Sequence, residues 1–129
     1  MLSQIRWLRV VVAAFLIEVG LIVVALPFIL IVAEALVYKV IVPLACLVVP
    51  FVVTLIATRP LPAARLLNGL VTGVVATVMY FALVVGASSI AEASMVYGLP
   101  LFIGVNALRI VSAAAGGYAA DRRVIPSTT

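Results

Sequence analysis

Glu18 and Arg109 are the residues of this 129-residue chain whose types and positions could support chemistry in an apolar environment. Each lies near the middle of a long apolar stretch, Glu18 in the first and Arg109 in the fourth. Glu18 follows Arg9 by nine residues and Arg109 precedes Tyr118 by nine. At a rise of about 1.5 Å per residue, both are expected about 13–14 Å above the same, inner interface of a membrane. An arginine at the centre of such a helix costs about 2.5–3.5 kcal/mol on insertion scales, so we expect the two charges to form a buried pair.

The pair has two interpretations. Intramembrane ionisable groups often mark transport paths, so Glu18 could bind a proton or substrate under the control of Arg109. Alternatively, the pair is an internal clamp that fixes which helices pack together, because desolvation roughly cancels the Coulomb gain. Asn106, one turn before Arg109, could hydrogen-bond Glu18 or a backbone carbonyl, and packing is its simpler role. Thr72 and Tyr80 in the third stretch are expected at other depths, so few polar groups converge on the pair.

The composition requires a membrane for these helices. Hydrophobic residues make up 67% and charged residues 9% of the chain, and the mean hydropathy is +1.45. Ordinary soluble domains carry about 25% charged residues, so that class is excluded. The chain has room for about four spans of ~20 residues. We predict an all-α integral membrane protein, a single four-helix transmembrane bundle over residues 1–129. The spans cover about residues 10–32, 40–57, 66–87 and 96–118, with connections near 33–39, 58–65 and 88–95.

The basic residues give the orientation. Lys39 is the one basic residue near span ends on one side, and six arginines lie on the other: Arg6, Arg9, Arg59, Arg65, Arg122 and Arg123. Because cytoplasmic loops are enriched in Lys and Arg, both termini are expected in the cytoplasm and the protein in the cell membrane. The net charge of +4 is explained by these positions, so no nucleic-acid partner is predicted.

Small residues predict close helix packing. Gly69, Gly73 and Thr77 share one face of span three in the small-xxx-small pattern that lets helix backbones approach. In span four, Gly116 and Gly117 are expected to pack closely as well. One stripe of this span should face protein rather than lipid, at the helical spacing of Phe102, Asn106, Arg109, Ala113, Gly116 and Ala120. We expect spans one and four to be neighbours, since that order is common in four-helix arrangements.

Pro43 and Pro50 predict bends in span two, because proline removes a backbone donor and clashes with the preceding turn. The carbonyls that they free could line an ion path, although a structural bend is the simpler explanation.

Few catalytic chemistries are compatible with the remaining residues. The chain contains no histidine and one cysteine, Cys46. No metal-ligand spacing and no nucleophile–base pair can be identified. We therefore predict no catalytic residue, no metal and no cofactor, and an enzyme is not favoured.

Residues 14–19 (AFLIEV) resemble the first helix of the small multidrug resistance transporters. That family also has four spans, a comparable length and a membrane carboxylate in span one, so the resemblance implies a transport role for Glu18. It covers six residues. Spans two to four do not match the family's aromatic and glycine motifs. The strong charge bias also differs from the weak bias that antiparallel assembly of identical chains favours.

Two functions remain open. The first is a non-enzymatic accessory or packing subunit that acts through helix–helix contacts, with the lipid bilayer, itself or another membrane protein as partner. The second is a small proton-coupled secondary transporter, working as an oligomer with Glu18 as the coupling carboxylate. Because few polar groups are expected near Glu18, the sequence favours the first. A water-accessible cavity that reaches Glu18 would favour the second.

Overall fold

The computed structural model describes residues 2–122, and no β-strand occurs among them. A short 3₁₀ turn, Leu2–Gln4, precedes five helices in this part of the chain: α1 (Trp7–Ile31), α2 (Glu34–Thr58), α3 (Arg65–Ala87), α4 (Ile90–Tyr97) and α5 (Leu99–Arg122). All except α4 are long and apolar enough to cross a membrane. Arg123, one of the arginines that indicated the orientation, lies outside the described residues.

The first connection is shorter than residues 33–39. The chain leaves α1 at Val32, which has extended backbone, and re-enters a helix at Glu34. A carboxylate in the first turn suits the positive end of the helix dipole. The next turn, Val37–Ile41, is π-helical, and the Val42 N–H bonds to the carbonyl of Val37. The lack of an N–H at Pro43 explains why the regular pattern is interrupted just before it.

An unpredicted helix, α4, begins within the connection expected near residues 88–95 and continues to Tyr97, so that the last long helix begins at Leu99 rather than near residue 96. The start of α4 is capped, because the Ser89 hydroxyl accepts a hydrogen bond from the Glu92 N–H at 3.1 Å. Ser followed three residues later by Glu is the capping-box pattern, and it was present in the sequence. Gly98 separates α4 from α5 with φ of +79°, a conformation that favours glycine.

The four long helices form a bundle in which α1 and α5 lie on opposite corners. α5 packs most extensively on α3 and α2, and α1 packs on the same two helices from the other side. α1 and α5 hardly approach one another. The prediction that spans one and four are neighbours is therefore wrong.

Polar side chains are buried and large aliphatic ones are exposed, the reverse of a soluble domain. Thr54, Thr58 and Thr72 are almost fully buried, and each hydroxyl donates to the carbonyl four residues earlier, at 2.6–2.7 Å. Outward-facing residues include Leu30, Val78 and Val111, each more than 60% exposed. The predicted stripe on α5 is buried, including Phe102 and Ala120.

The carbonyls around Pro50 take part in packing. Pro50 lies buried inside α2. The Ser112 hydroxyl of α5 donates to the carbonyl of Leu47, and the Thr54 hydroxyl donates to that of Pro50. The Ser112 bond joins α5 to α2 one turn before Pro50, and the Thr54 bond lies within α2. The carbonyl that loses its helical N–H donor because of Pro50 is that of Cys46.

Candidate functional site

Asn68 fixes the relative height of α1 and α3. Its side-chain oxygen accepts from the Arg6 backbone N–H at 2.8 Å, and its amide donates to the carbonyls of Gln4 at 3.1 Å and Ala64 at 2.8 Å. Glu18 lies 12 residues after Arg6, and Tyr80 lies 12 residues after Asn68. Because α1 and α3 run in the same direction, Glu18 and Tyr80 come to about the same level. Arg6 and Gln4 lie more than 60 residues from Asn68 along the chain, so spacing in the sequence could not indicate these two bonds.

Glu18 and Arg109 meet in the centre of the bundle. Arg109 Nη1 donates to Glu18 Oε1 at 2.9 Å. Both residues are buried, Glu18 being 7% and Arg109 4% exposed. The guanidinium reaches from one corner of the bundle to the opposite one, which requires a long side chain. The two opposite charges neutralise each other where either alone would be costly to bury.

Tyr80 covers the guanidinium. The Arg109 Cζ lies 4.1 Å from the centre of the Tyr80 ring, within the range of a cation–π contact. The prediction that Tyr80 lies at another depth is therefore wrong. That prediction counted the depth of Arg109 from Tyr118, whereas α5 continues to Arg122 and Asp121 pairs with Arg65 at the start of α3 at 3.4 Å. Counted from Asp121, Arg109 lies about one turn farther in.

Asn106 does not hydrogen-bond to Glu18. Its amide donates to the Phe102 carbonyl at 2.8 Å, which is the second of the two partners that the sequence left open. Its Oδ1 is buried without a hydrogen-bond partner, and the same holds for Arg109 Nε. The polar groups around the ion pair therefore have unused hydrogen-bonding capacity.

A cleft of about 350 Å³ reaches the ion pair. Its walls come from the second half of α1, the start of α2 and the second half of α3, with Tyr97 of α4 beside them. Glu18 and Arg109 lie at its inner end, and Ala87 and Ser88 lie at the end where α3 stops. Its lining is mainly aliphatic and aromatic, and Glu18 and Arg109 are the charged residues among those described that line it. Several wall residues are also exposed on the outer surface, namely Ile22, Leu26, Ile29 and Leu83. The cleft is therefore open between α1 and α3.

Gly69 and Gly73 of α3 lie against α5 of the same chain. A Cβ added to Gly69 would lie 2.7 Å from the Ala113 carbonyl oxygen, and one added to Gly73 would lie 2.8 Å from the Ile110 Cα. A Cβ on Gly117 would collide with the Arg65 carbonyl at the start of α3. Only glycine permits helices this close.

Gly116 and Thr77 have different surroundings. A Cβ on Gly116 would collide with the Phe51 carbonyl and the Thr54 hydroxyl, so this glycine faces α2 rather than α3. Thr77 is buried, and its hydroxyl donates to the Gly73 carbonyl of its own helix at 2.9 Å.

The charged groups at the inner end of the cleft are those of the Glu18–Arg109 ion pair. Residues 2–122 contain no cluster of three or more His, Cys, Asp or Glu that could hold a metal. Cys46, the one thiol, is buried in the apolar core. What the geometry does provide is one carboxylate, paired with one guanidinium, at the end of an apolar cleft.

Comparisons with models of protein families, with curated proteins and with solved structures find no match for this chain.

Proposed function

We propose that the chain is an integral protein of the cell membrane with four spans and both termini in the cytoplasm. The exposed aliphatic side chains and the length and hydropathy of the four long helices support insertion. Arginines from several helix ends lie at one end of the bundle: Arg9 Nη1 donates to the Ala57 carbonyl at 3.1 Å, and Arg65 pairs with Asp121. Lys39 lies near the start of α2, at the opposite end. This distribution supports a cytoplasmic location for the arginine-rich end.

Within that membrane protein we propose transport, with Glu18 as the proton-coupling carboxylate and several copies completing the pathway. The observation that carries the proposal is the cleft that ends at Glu18 and Arg109. A carboxylate can exchange protons only if water or a ligand reaches it, and the cleft supplies such a route from the outer end. Four spans rarely enclose a complete pathway, hence the oligomer.

A non-enzymatic accessory role is the second candidate. Small-residue faces on α3 and α5 would support this role if they were free for a partner, but Gly69, Gly73 and Gly117 contact other helices of this chain. The remaining support is the open side of the cleft between α1 and α3. One apolar helix of another membrane protein could pack there, and its presence would close the route to Glu18.

Solvent access to the cleft tests the choice between the two candidates. With Cys46 replaced by alanine, Leu83→Cys in the cleft wall and Ala82→Cys, which is exposed at nearly the same depth of α3 but does not line the cleft, form a matched pair. In intact cells, a membrane-impermeant thiol reagent should label Leu83→Cys from outside and leave Ala82→Cys unlabelled, because only a water-filled cleft admits it. Equal, negligible labelling at both positions would contradict transport and favour a cleft filled by a partner helix.

A further inference from the structure

The ion pair is asymmetric in its response to protons. Glu18 becomes neutral when it gains a proton, whereas an arginine guanidinium stays charged in proteins. The charge of a ligand that enters the cleft can therefore be balanced only by a change in the protonation of Glu18.

The groups around the pair offer no other compensation. Facing Glu18 and Arg109 are Cys46 of α2, Tyr80 of α3 and Tyr97 of α4, with Asn106 one turn away on α5. Tyr38 of α2 packs edge-on to Tyr97 at 5.2 Å between ring centres. All of these are uncharged near neutral pH in their ordinary state. The described part of the cleft lining contains no second acid and no lysine.

These facts decide which ligand charge the cleft accepts. An anion beside the intact pair would leave one uncompensated negative charge at low dielectric, which is costly. A proton on Glu18 removes that charge, and Arg109 can then bond the anion instead. A cation that replaced Arg109 as the partner of Glu18 would leave the guanidinium buried, charged and unpaired. The guanidinium could not become neutral, because it does not release a proton in proteins.

We propose that the cleft binds a lipophilic monoanion, an apolar tail with a carboxylate or sulfonate group, together with one proton. This rests on the transport function proposed above and names its substrate class. The Arg109 guanidinium exchanges its hydrogen bond to Glu18 Oε1 for one to an oxygen of the anion. The proton, taken from water, adds to the released Glu18 carboxylate. The net charge of the site is the same before and after.

The geometry supplies both halves of this recognition. Arg109 bonds Glu18 through Nη1, and its Nε is buried without an acceptor, so the guanidinium has donors left for an anion. The aliphatic walls contributed by Leu26, Ile29 and Leu83 suit the tail. The carboxylate or sulfonate of the anion would lie at the inner end of the cleft, and its tail would extend from there towards the outer end.

Octanesulfonate is a suitable probe because its negative charge is permanent, so any proton taken up must reside on the protein. Binding to the purified protein is measured by calorimetry in two buffers of different ionisation enthalpy. We expect uptake of about one proton per anion, with affinity falling about tenfold for each pH unit above neutrality. Octyltrimethylammonium, with the same tail and opposite charge, should not bind.

Two variants separate the roles. Glu18→Gln is neutral at every pH, so octanesulfonate should bind without proton uptake and with no pH dependence. The double variant Glu18→Gln/Arg109→Met removes both charges together and should fail to bind. Its thermal unfolding shows whether it is folded, and Arg109→Lys provides a second measurement, because it keeps the charge and should bind weakly.

The outcomes distinguish this inference from the transport function. Binding of octyltrimethylammonium with release of a proton would overturn the anion inference and leave Glu18 as a coupling carboxylate. Anion binding that is equally pH-dependent in wild type and Glu18→Gln would overturn the role of Glu18 in both the anion inference and the transport function. Binding of neither probe, with Leu83→Cys inaccessible, would overturn the transport function itself.

Discussion

Arg109 donates to Glu18 at 2.9 Å across the diagonal of the bundle, although the helices that carry the two residues hardly touch. The contact is therefore made by the side chains and not by packed backbones. It passes between α2 and α3, the two helices that separate α1 from α5. A diagonal ion pair of this kind can open without unpacking the glycine contacts between α3 and α5, which is a useful property for a site that exchanges ligands.

Reporter fusions test the topology. A reporter placed after Arg65 should be cytoplasmic, and one placed after Glu92 should be on the outside, because α3 lies between them and is long enough to cross the bilayer. The measurement uses a reporter pair active on opposite sides. Finding both sites on the same side would remove the four-span arrangement.

Gly73→Leu should destabilise the protein, whereas Val74→Leu should have little effect. A Cβ at position 73 would lie 2.8 Å from the Ile110 Cα and 3.0 Å from the Ala113 Cβ, so α3 and α5 would have to separate. Overpacking of this kind costs about 1–3 kcal/mol. Val74 is 44% exposed on the opposite face. Thermal unfolding in detergent gives both values, and similar losses would show that the α3–α5 contact is not close.

Two glycines of α5 provide a matched comparison with alanine. Gly117→Ala should destabilise by about 1–3 kcal/mol, because the new methyl group would collide with the Arg65 carbonyl. Gly104 has no neighbour within 4 Å, so Gly104→Ala should be neutral or stabilise the helix by up to about 1 kcal/mol. The difference in unfolding temperature between the two variants is the measurement. A stabilising effect of Gly117→Ala would contradict the packing of α3 on α5.

Hydropathy and helical spacing predicted the four long helices and the buried stripe of α5, because both depend on which residues avoid lipid or face protein. The order of helices around the bundle was not predictable in the same way. The order depends on which helix backbones approach one another. Gly69 lies close to Ala113 and Gly117, and this contact pairs α3 with α5. Neither segment of the sequence indicates its partner by itself. The level of Tyr80 was missed for a related reason. It follows from the contacts of Asn68 and Asp121 between distant segments, which set the heights of α1 and α5 against α3.

The Glu18–Arg109 pair should show strong coupling in a double-mutant cycle. Arg109→Met alone leaves a buried carboxylate without its partner, and breaking buried pairs costs about 3–5 kcal/mol in soluble proteins. Adding Glu18→Gln removes the unpaired charge and should recover part of that loss, whereas independent sites would simply add. Unfolding of the single and double variants in detergent measures the coupling. Proton-driven uptake of octanesulfonate into vesicles that contain the protein then separates the two interpretations of the pair. A clamp predicts that the recovered double variant keeps its activity, and a coupling carboxylate predicts that stability returns while proton-linked transport does not. Additive effects on stability would show that the 2.9 Å contact contributes nothing to the fold and would contradict both.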